Sequence, residues 1–382
     1  MKIELIKSEN ILDNSVNLLF GGDFCPRNHY EEKLLRDEPI FSEPIMHEFS
    51  NKDWLTVNLE TPLWNCDGGN GGLKCDPKVA TKLRNLNIDM VSFANNHALD
   101  RGDNGMRQTL RLLKDNGIVY GGAGGNRQEA SKLTIIEQNG LKIGIWCIAE
   151  KEYNIAPPES YGTAYFLPEA NVLTIAEYRR QVDFLVVFVH AGHEFMMTPS
   201  PRIRDAYRSF VNAGADLVIG HHPHVVQGWE CYNGKWIFYS LGNLVFDSPY
   251  VSGYDNTDWG YLVRAKVGCH KINALEVIVY NLRIPEYVIG EFSTEEFEKR
   301  RQTLYDISTD IVDDKRFEAA WTEGVIRRWN EDYKQLFSSI ASSINGGPEN
   351  GFNFLRNILW CPTHTELVLK ALELKKDGLL DF

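Results

Sequence analysis

Apolar residues in this chain gather into short, nearly unbroken runs, and five of these runs end in side chains that can bind metal or move protons. The run at 16–23 closes on Asp23, and the run at 54–60 closes on Glu60. The run at 89–97 closes on Asn95-Asn96-His97. The run at 183–190 closes on His190 and continues into His193-Glu194. The run at 215–219 empties into Gly220-His221-His222-Pro223-His224. Near-continuous apolar runs of this length predict strands buried on both faces. Ligands of open α/β sheets collect beyond the carboxyl ends of such strands. One polar strand end is ordinary; five point to a shared site.

Between the runs, apolar spacing predicts helices over 78–86 and 104–115, the second capped by Asp103 or Asn104. Strands and helices alternate to about residue 150. Asn139-Gly140 and Asn233-Gly234 each divide two apolar-rich stretches, the pattern of a type I′ hairpin. The glycine run at 121–125 lacks the Lys-Ser/Thr of a phosphate-binding loop and reads as a βα turn. Hairpins set among βα repeats fit two packed sheets better than one doubly wound sheet. The character changes near residue 290. A capped helix opens at Ser293-Thr294-Glu295-Glu296, and helical spacing continues to 376 with a break at 345–351. Phe317, Trp321, Trp329, Tyr333, Phe337, Phe352 and Trp360 are spaced as a helical core. Two domains are therefore expected: 1–290, and a helical C-terminal extension, 291–382, that either covers the site or pairs subunits into a homo-oligomer.

Composition narrows the partners. A net charge of −12 argues against nucleic acid or an anionic membrane, since both call for a basic surface. An anionic small molecule or polymer precursor at a local positive centre remains compatible. Seven cysteines, scattered at 25, 66, 75, 147, 231, 269 and 361, read as free thiols of a reducing compartment. Cys66 and Cys75, flanking the glycine-rich stretch 67–72, are the one pair placed to bridge. The first ten residues carry charges throughout, and no apolar run is long enough to span a bilayer. The expected location is the cytoplasm.

The residue types suit divalent metal chemistry. Carboxylates neutralise charge, imidazoles supply nitrogen, and an amide oxygen binds without adding charge. No Cys-x-x-Cys pair is present, which excludes a zinc ribbon.

Taken together, Gly22-Asp23, Asn58-Leu59-Glu60-Thr61-Pro62, Asn95-Asn96-His97-Ala98-Leu99-Asp100, His190-Ala191-Gly192-His193-Glu194, Gly220-His221-His222-Pro223-His224 and Gly242-Asn243 resemble the bacterial capsule-synthesis CapA (poly-γ-glutamate biosynthesis) family over about 16–285. That family is similar in turn to the calcineurin-like metallophosphoesterases. The resemblance implies an α/β fold, a four-layer α/β/β/α sandwich, here with a C-terminal helical appendage. It implies one or two divalent ions, Mn, Fe or Zn, on Asp23, Glu60, Asn96, His190, His222 and His224, with Glu60 in the bridging position. His97 then faces substrate as acid or hydrogen-bond donor, and Asp100 fixes its tautomer. Arg27, His193, Glu194, His221 and Asn243 are expected around the ligands or facing substrate. Many relatives carry an N-terminal anchor, which the first residues here do not resemble. Two departures stand out. Asp23 is followed by Phe24-Cys25 where phosphoesterases have Asp-x-His, leaving Cys25 as either a thiolate ligand or a packed thiol. The bridging residue is Glu rather than Asp. Two functions follow: a metal-dependent hydrolase, foremost a phosphoesterase, of capsule, poly-γ-glutamate or surface polysaccharide synthesis, or a non-catalytic assembly component with the same fold.

Overall fold

The computed structural model describes residues 1–7, 14–66, 72–283, 285–348 and 350–381. Pleating decides the layers. In the strand Val16–Cys25, Leu18 and Phe20 point to one side and Leu19 and Phe24 to the other, and all four are fully buried. The strand is the middle of an eight-stranded sheet. Parallel partners Trp54–Leu59, Met90–Ser92 and Val119–Gly121 follow on one side, with Asn243–Phe246 also pairing to it. Antiparallel strands Trp259–Gly268 and Lys271–Asn281 and the edge strand Lys2–Ile6 complete the other side.

A second sheet of six strands runs in the order Val226–Tyr232, Lys235–Leu241, Leu217–His221, Phe184–His190, Leu141–Ala149, Thr134–Gln138. Its three central strands are parallel, with His190 opposite His221. Leu18, Phe20, Val263 and Leu275 of the first sheet meet Ile143, Ile145, Phe188 and Ile219 of the second in one core. Leu19, Val57 and Val91 pack outward on Leu34, Phe49, Leu83 and Leu110 of four helices. Ile148, Val187 and Val218 pack outward on Ile175, Tyr207 and Phe210 of two more. The result is the four-layer α/β/β/α sandwich. Both hairpins form, with Asn139 and Gly140 at φ 51° and 77° and Asn233 and Gly234 at 48° and 75°.

Three local expectations change. The helix Gly102–Asp115 begins after Arg101, with no side-chain cap; Asp103 sits in its first turn and accepts a hydrogen bond from Ser160. The glycine run at 121–125 is not a bare turn, because Ala123–Gly124 forms a short strand against Gly162–Thr163. The seven cysteines are all unpaired, so Cys66 and Cys75 do not bridge; most of the glycine-rich stretch between them, 67–71, lies outside the described residues. No helix among the described residues is long and apolar enough to cross a membrane.

The C-terminal helices are Thr294–Val312, Asp314–Arg328, Lys334–Ile344, Asn350–Trp360 and Pro362–Lys376. Ser293 and Glu296 close a reciprocal capping box on the first. That helix finishes the sandwich core with Phe297 and Leu304. The others enclose their own core of Trp321, Val325, Trp329, Tyr333, Ile358, Leu367 and Ala371, which also takes Met196 from the sandwich. Phe352 and Trp360, expected in that core, are instead 45% and 46% exposed. Trp360 carries the Lys151 ammonium over its ring at 3.3 Å. Between the second and third helices, Trp329–Tyr333 forms a single π-helical turn.

Candidate metal centre

Strand ends and tight backbone set the donors. Asp23 lies one residue beyond Gly22, where an added Cβ would sit 1.9 Å from the Gly242 carbonyl oxygen. Only glycine permits that approach of the two segments. His222 and His224 both hold positive φ, 102° and 56°. Such backbone costs about 1–3 kcal/mol per residue and tends to cluster where geometry is functional. It turns two imidazoles, two positions apart, toward the end of the first sheet.

The side chains converge. Glu60 Oε1 lies 3.7 Å from His190 Nε2 and 3.6 Å from His224 Nε2. His190 Nε2 is 3.0 Å from both Asn96 Oδ1 and His222 Nδ1. Asp23 Oδ2 is 3.7 Å from His224 Nδ1 and accepts the His222 backbone N–H at 3.2 Å. Two donor groups result, Asp23-Glu60-His224 and Glu60-His190-His222, each with ligand atoms within 4.8 Å of one another. Glu60 belongs to both.

The site fits cations on its own chemistry. Glu60 Oε1 is buried and has no hydrogen-bond partner, which is costly for a carboxylate oxygen. Burial, then the neighbouring Asp23 charge, pushes the Glu60 carboxyl well above its usual range. Burial also holds His190 and His224 below theirs, in the neutral form that binds metal.

Supporting groups surround the donors. Asn58 Nδ2 donates to Asp23 Oδ1 at 2.8 Å and approaches His190 Nδ1 at 3.1 Å. Its own Oδ1 accepts from Asn95 at 3.2 Å. Sequence reasoning gave Asn58 no role, although its place two residues before Glu60 on a buried strand was a usable signal. Asn243 Oδ1 fixes His224 Nδ1 at 3.0 Å. His97 Nδ1 is 2.8 Å from Asp100 Oδ2, which also accepts the Leu73 N–H at 2.6 Å. Burial alone would lower the His97 imidazole, but the Asp100 hydrogen bond and charge outweigh it and raise it.

Of the other expected residues, His193 and Glu194 line the cavity over the donors, whereas His221 and Arg27 do not. His221 Nε2 is 3.0 Å from the Gly21 carbonyl oxygen, and its ring stacks on Phe188 at 4.1 Å, in the core between the sheets. His193 Nε2 meets the Thr363 carbonyl oxygen at 2.8 Å and sets its ring edge-on to Trp321. Glu194 accepts from the Tyr250 hydroxyl at 3.3 Å. The Arg27 charge acts on Glu31 and the Cys25 and Cys75 thiols, and Arg27 is not among the residues lining the cavity over the donors. Burial pushes the Cys25 thiol well above its ordinary value, and Cys25 packs with Phe195, Phe246 and Val251, outside both donor groups.

Above the donors lies a cavity of about 660 Å³, and the C-terminal helices supply its roof through Arg328, Tyr333, Phe354, Asn357, His364 and Leu367. His364 Nδ1 is 2.5 Å from the Tyr333 hydroxyl, and its Nε2 is 3.0 Å from Asn357 Nδ2 and 3.7 Å from Glu152 Oε1. Burial works to raise Glu152, but the His364 hydrogen bond and the charge of His222 prevail and hold it at about 2. A polar lock docks the roof. Arg202 reaches Glu150 at 2.6 Å, Glu366 at 3.3 Å and the Thr363 hydroxyl at 2.7 Å, and that hydroxyl donates to Glu150 at 2.5 Å. Of these residues the sequence reading singled out only Tyr333, as part of a helical core.

Residues 17–248, which contain every donor named above, match the model of the bacterial capsule synthesis protein family PGA_cap. The chain belongs to that family. Among PGA_cap relatives, the PGA biosynthesis protein CapA of Bacillus subtilis is 32% identical over 269 residues, covering 67% of this chain and 70% of that protein. The capsule biosynthesis protein CapA of Bacillus anthracis is 28% identical over 286 residues, covering 71% and 68%. A solved structure described as a novel phosphatase, from Mycoplasma pneumoniae, covers 72% of this chain and 96% of its own with a TM-score of 0.44 and 14% identity. The roof helices begin beyond the family match.

Proposed function

We propose that this PGA_cap member is a metal-dependent phosphoesterase serving capsule, poly-γ-glutamate or surface polysaccharide synthesis. The observation that carries the reading is the pair of donor groups sharing Glu60, set beneath a cavity that His97 lines. Asp23, Glu60 and His224 would hold one ion, and Glu60, His190 and His222 with the Asn96 amide oxygen the other. Bound there, divalent Mn, Fe or Zn would activate water and neutralise charge developing on a phosphoryl group.

The chain's own groups do the rest. Asp100 holds His97 Nδ1, which leaves Nε2 to hydrogen-bond or protonate the ester oxygen of the leaving group. The Leu73 N–H steadies Asp100, and Asn58 and Asn243 keep Asp23 and His224 oriented. The roof limits water around the ester. Seven unpaired thiols suit a reducing, cytoplasmic setting, and the substrate on this reading is a small anionic molecule or polymer precursor. The decisive experiment is metal analysis of the purified protein, then assay against a phosphomonoester, a phosphodiester and a γ-glutamyl peptide. Ester turnover that chelation abolishes and Mn, Fe or Zn restores is expected; metal-loaded protein inert on all three overturns the reading.

A further inference from the structure

The cavity carries more information in its walls than in its floor. Apart from histidines, its charged lining comprises the carboxylates Glu152, Glu194 and Asp332 against one guanidinium, Arg328. Arg328 is already engaged. Its Nη2 lies 2.5 Å from Asp332 Oδ2, and it rests over the rings of Phe195 and Tyr254 at 5.0 and 4.9 Å. Glu194 is held by the Tyr250 hydroxyl at 3.3 Å, and Glu152 by Asn357 Nδ2 at 3.2 Å. Among the described lining residues, no other Lys or Arg is present to meet a second anionic group. What the walls do offer is hydrogen-bonding capacity: the Tyr333 hydroxyl, His364, the Asn357 amide, Gln335, and the two glutamates as acceptors.

We propose that the substrate is a phosphate ester whose leaving group is uncharged and rich in hydroxyls, selected by Glu152, Glu194, Tyr333, Asn357 and His364. This rests on the phosphoesterase reading and narrows it. The phosphoryl charge is met at the floor by the ions the donors would hold. A carboxylate on the leaving group would instead approach Glu194 or Glu152 in a partly dehydrated space, where like charges repel strongly. Hydroxyls can donate to those same carboxylates without bringing a second negative charge beside them. A volume of about 660 Å³ suits one sugar-sized molecule. A polyanionic strand, with a carboxylate on every unit, is the poorest fit to these walls.

The test compares glucitol 6-phosphate with 6-phosphogluconate, six-carbon chains that differ by one carboxylate, titrated calorimetrically into the Mn-loaded full chain. Glucitol 6-phosphate is expected to bind about tenfold more tightly, and Glu194→Gln to narrow the ratio to about threefold. Tyr333→Phe and His364→Ala should weaken the glucitol ester more than the gluconate one. Equal or tighter binding of 6-phosphogluconate, or a ratio that Glu194→Gln leaves in place, overturns the inference. The affinity ratio and the turnover are separate readouts, so the two readings fail separately. Selective binding with no hydrolysis of any ester breaks the phosphoesterase reading, whereas hydrolysis of both esters without selectivity breaks only the selectivity.

Discussion

The floor and the roof of the cavity hold their polar groups by different means. On the floor, each donor sits at or just beyond the end of a buried strand. Neighbouring strands place it through the backbone, as His190 beside His221 and Asp23 beside Asn58 illustrate, with the Asn58 and Asn243 side chains trimming its orientation. In the roof, side chains are held by other side chains: Thr363 by Glu150 and Arg202, far away in sequence, and His364 by Tyr333 and the nearby Asn357. A floor made this way is expected to keep its shape when one donor is lost, with the cost falling on whatever ion the donors would hold. A roof made this way depends on its lock. Arrangement by backbone and arrangement by side-chain network should therefore fail differently, and five substitutions separate them.

The largest effect is expected from His222→Ala. It should empty the Glu60-His190-His222 group of metal and abolish turnover with it, while circular dichroism and melting of the metal-free protein stay near wild type; elemental analysis reads the loss. Next comes Arg202→Ala, which leaves Glu150 buried beside Thr363 without its cation. A cost of about 3 kcal/mol is expected, read as a lower unfolding midpoint and as faster hydrogen exchange confined to Pro362–Lys376. Metal content unchanged in that variant would support the separation of floor from roof, and metal lost with it would erase the separation. His97→Ala should keep its metal yet lose about 10²-fold in turnover of a phosphate ester, with Asp100→Asn losing less. Wild-type turnover in His97→Ala would end the mechanism while leaving the fold intact. The smallest effect belongs to Ser293→Ala. Losing the capping box should cost about 1 kcal/mol in chemical denaturation without altering metal or rate.

The same division explains what could be read from the amino-acid order. Strands buried on both faces write themselves as apolar runs, and a donor at such a run's end is visible because nothing apolar would serve there. Hence two packed sheets and a gathering of polar strand ends were legible from the pattern, while the selection of Asp23, Glu60, Asn96, His190, His222 and His224 among them came from the family resemblance. Neighbouring residues were less so, since a strand end does not say which way each side chain turns. His221 points into the core between the sheets although it adjoins His222, and Arg27 lies toward Glu31. The roof was hardest. Helical spacing shows that Tyr333 is buried but not that a cavity lies beside its hydroxyl, and the contact of Thr363 with His193 spans 170 residues. Phe352 and Trp360 followed helical spacing and still ended exposed, because periodicity marks a face without naming the neighbour that covers it.

The π-helical turn Trp329–Tyr333 gives the roof an unusual dependence on reading length. An i→i+5 turn takes up one residue more than the regular helix on either side of it. Removing a single residue there would restore a continuous helix from Asp314 to Ile344. Because the wide turn had absorbed that residue, the helix after it would keep its facing, and the change would fall on the turn itself. The stretch that carries Tyr333 beside His364 would be one residue shorter, with every remaining side chain chemically unchanged. A one-residue deletion can thus redraw one patch of the upper wall of the pocket while leaving the histidines and carboxylates beneath it where they are.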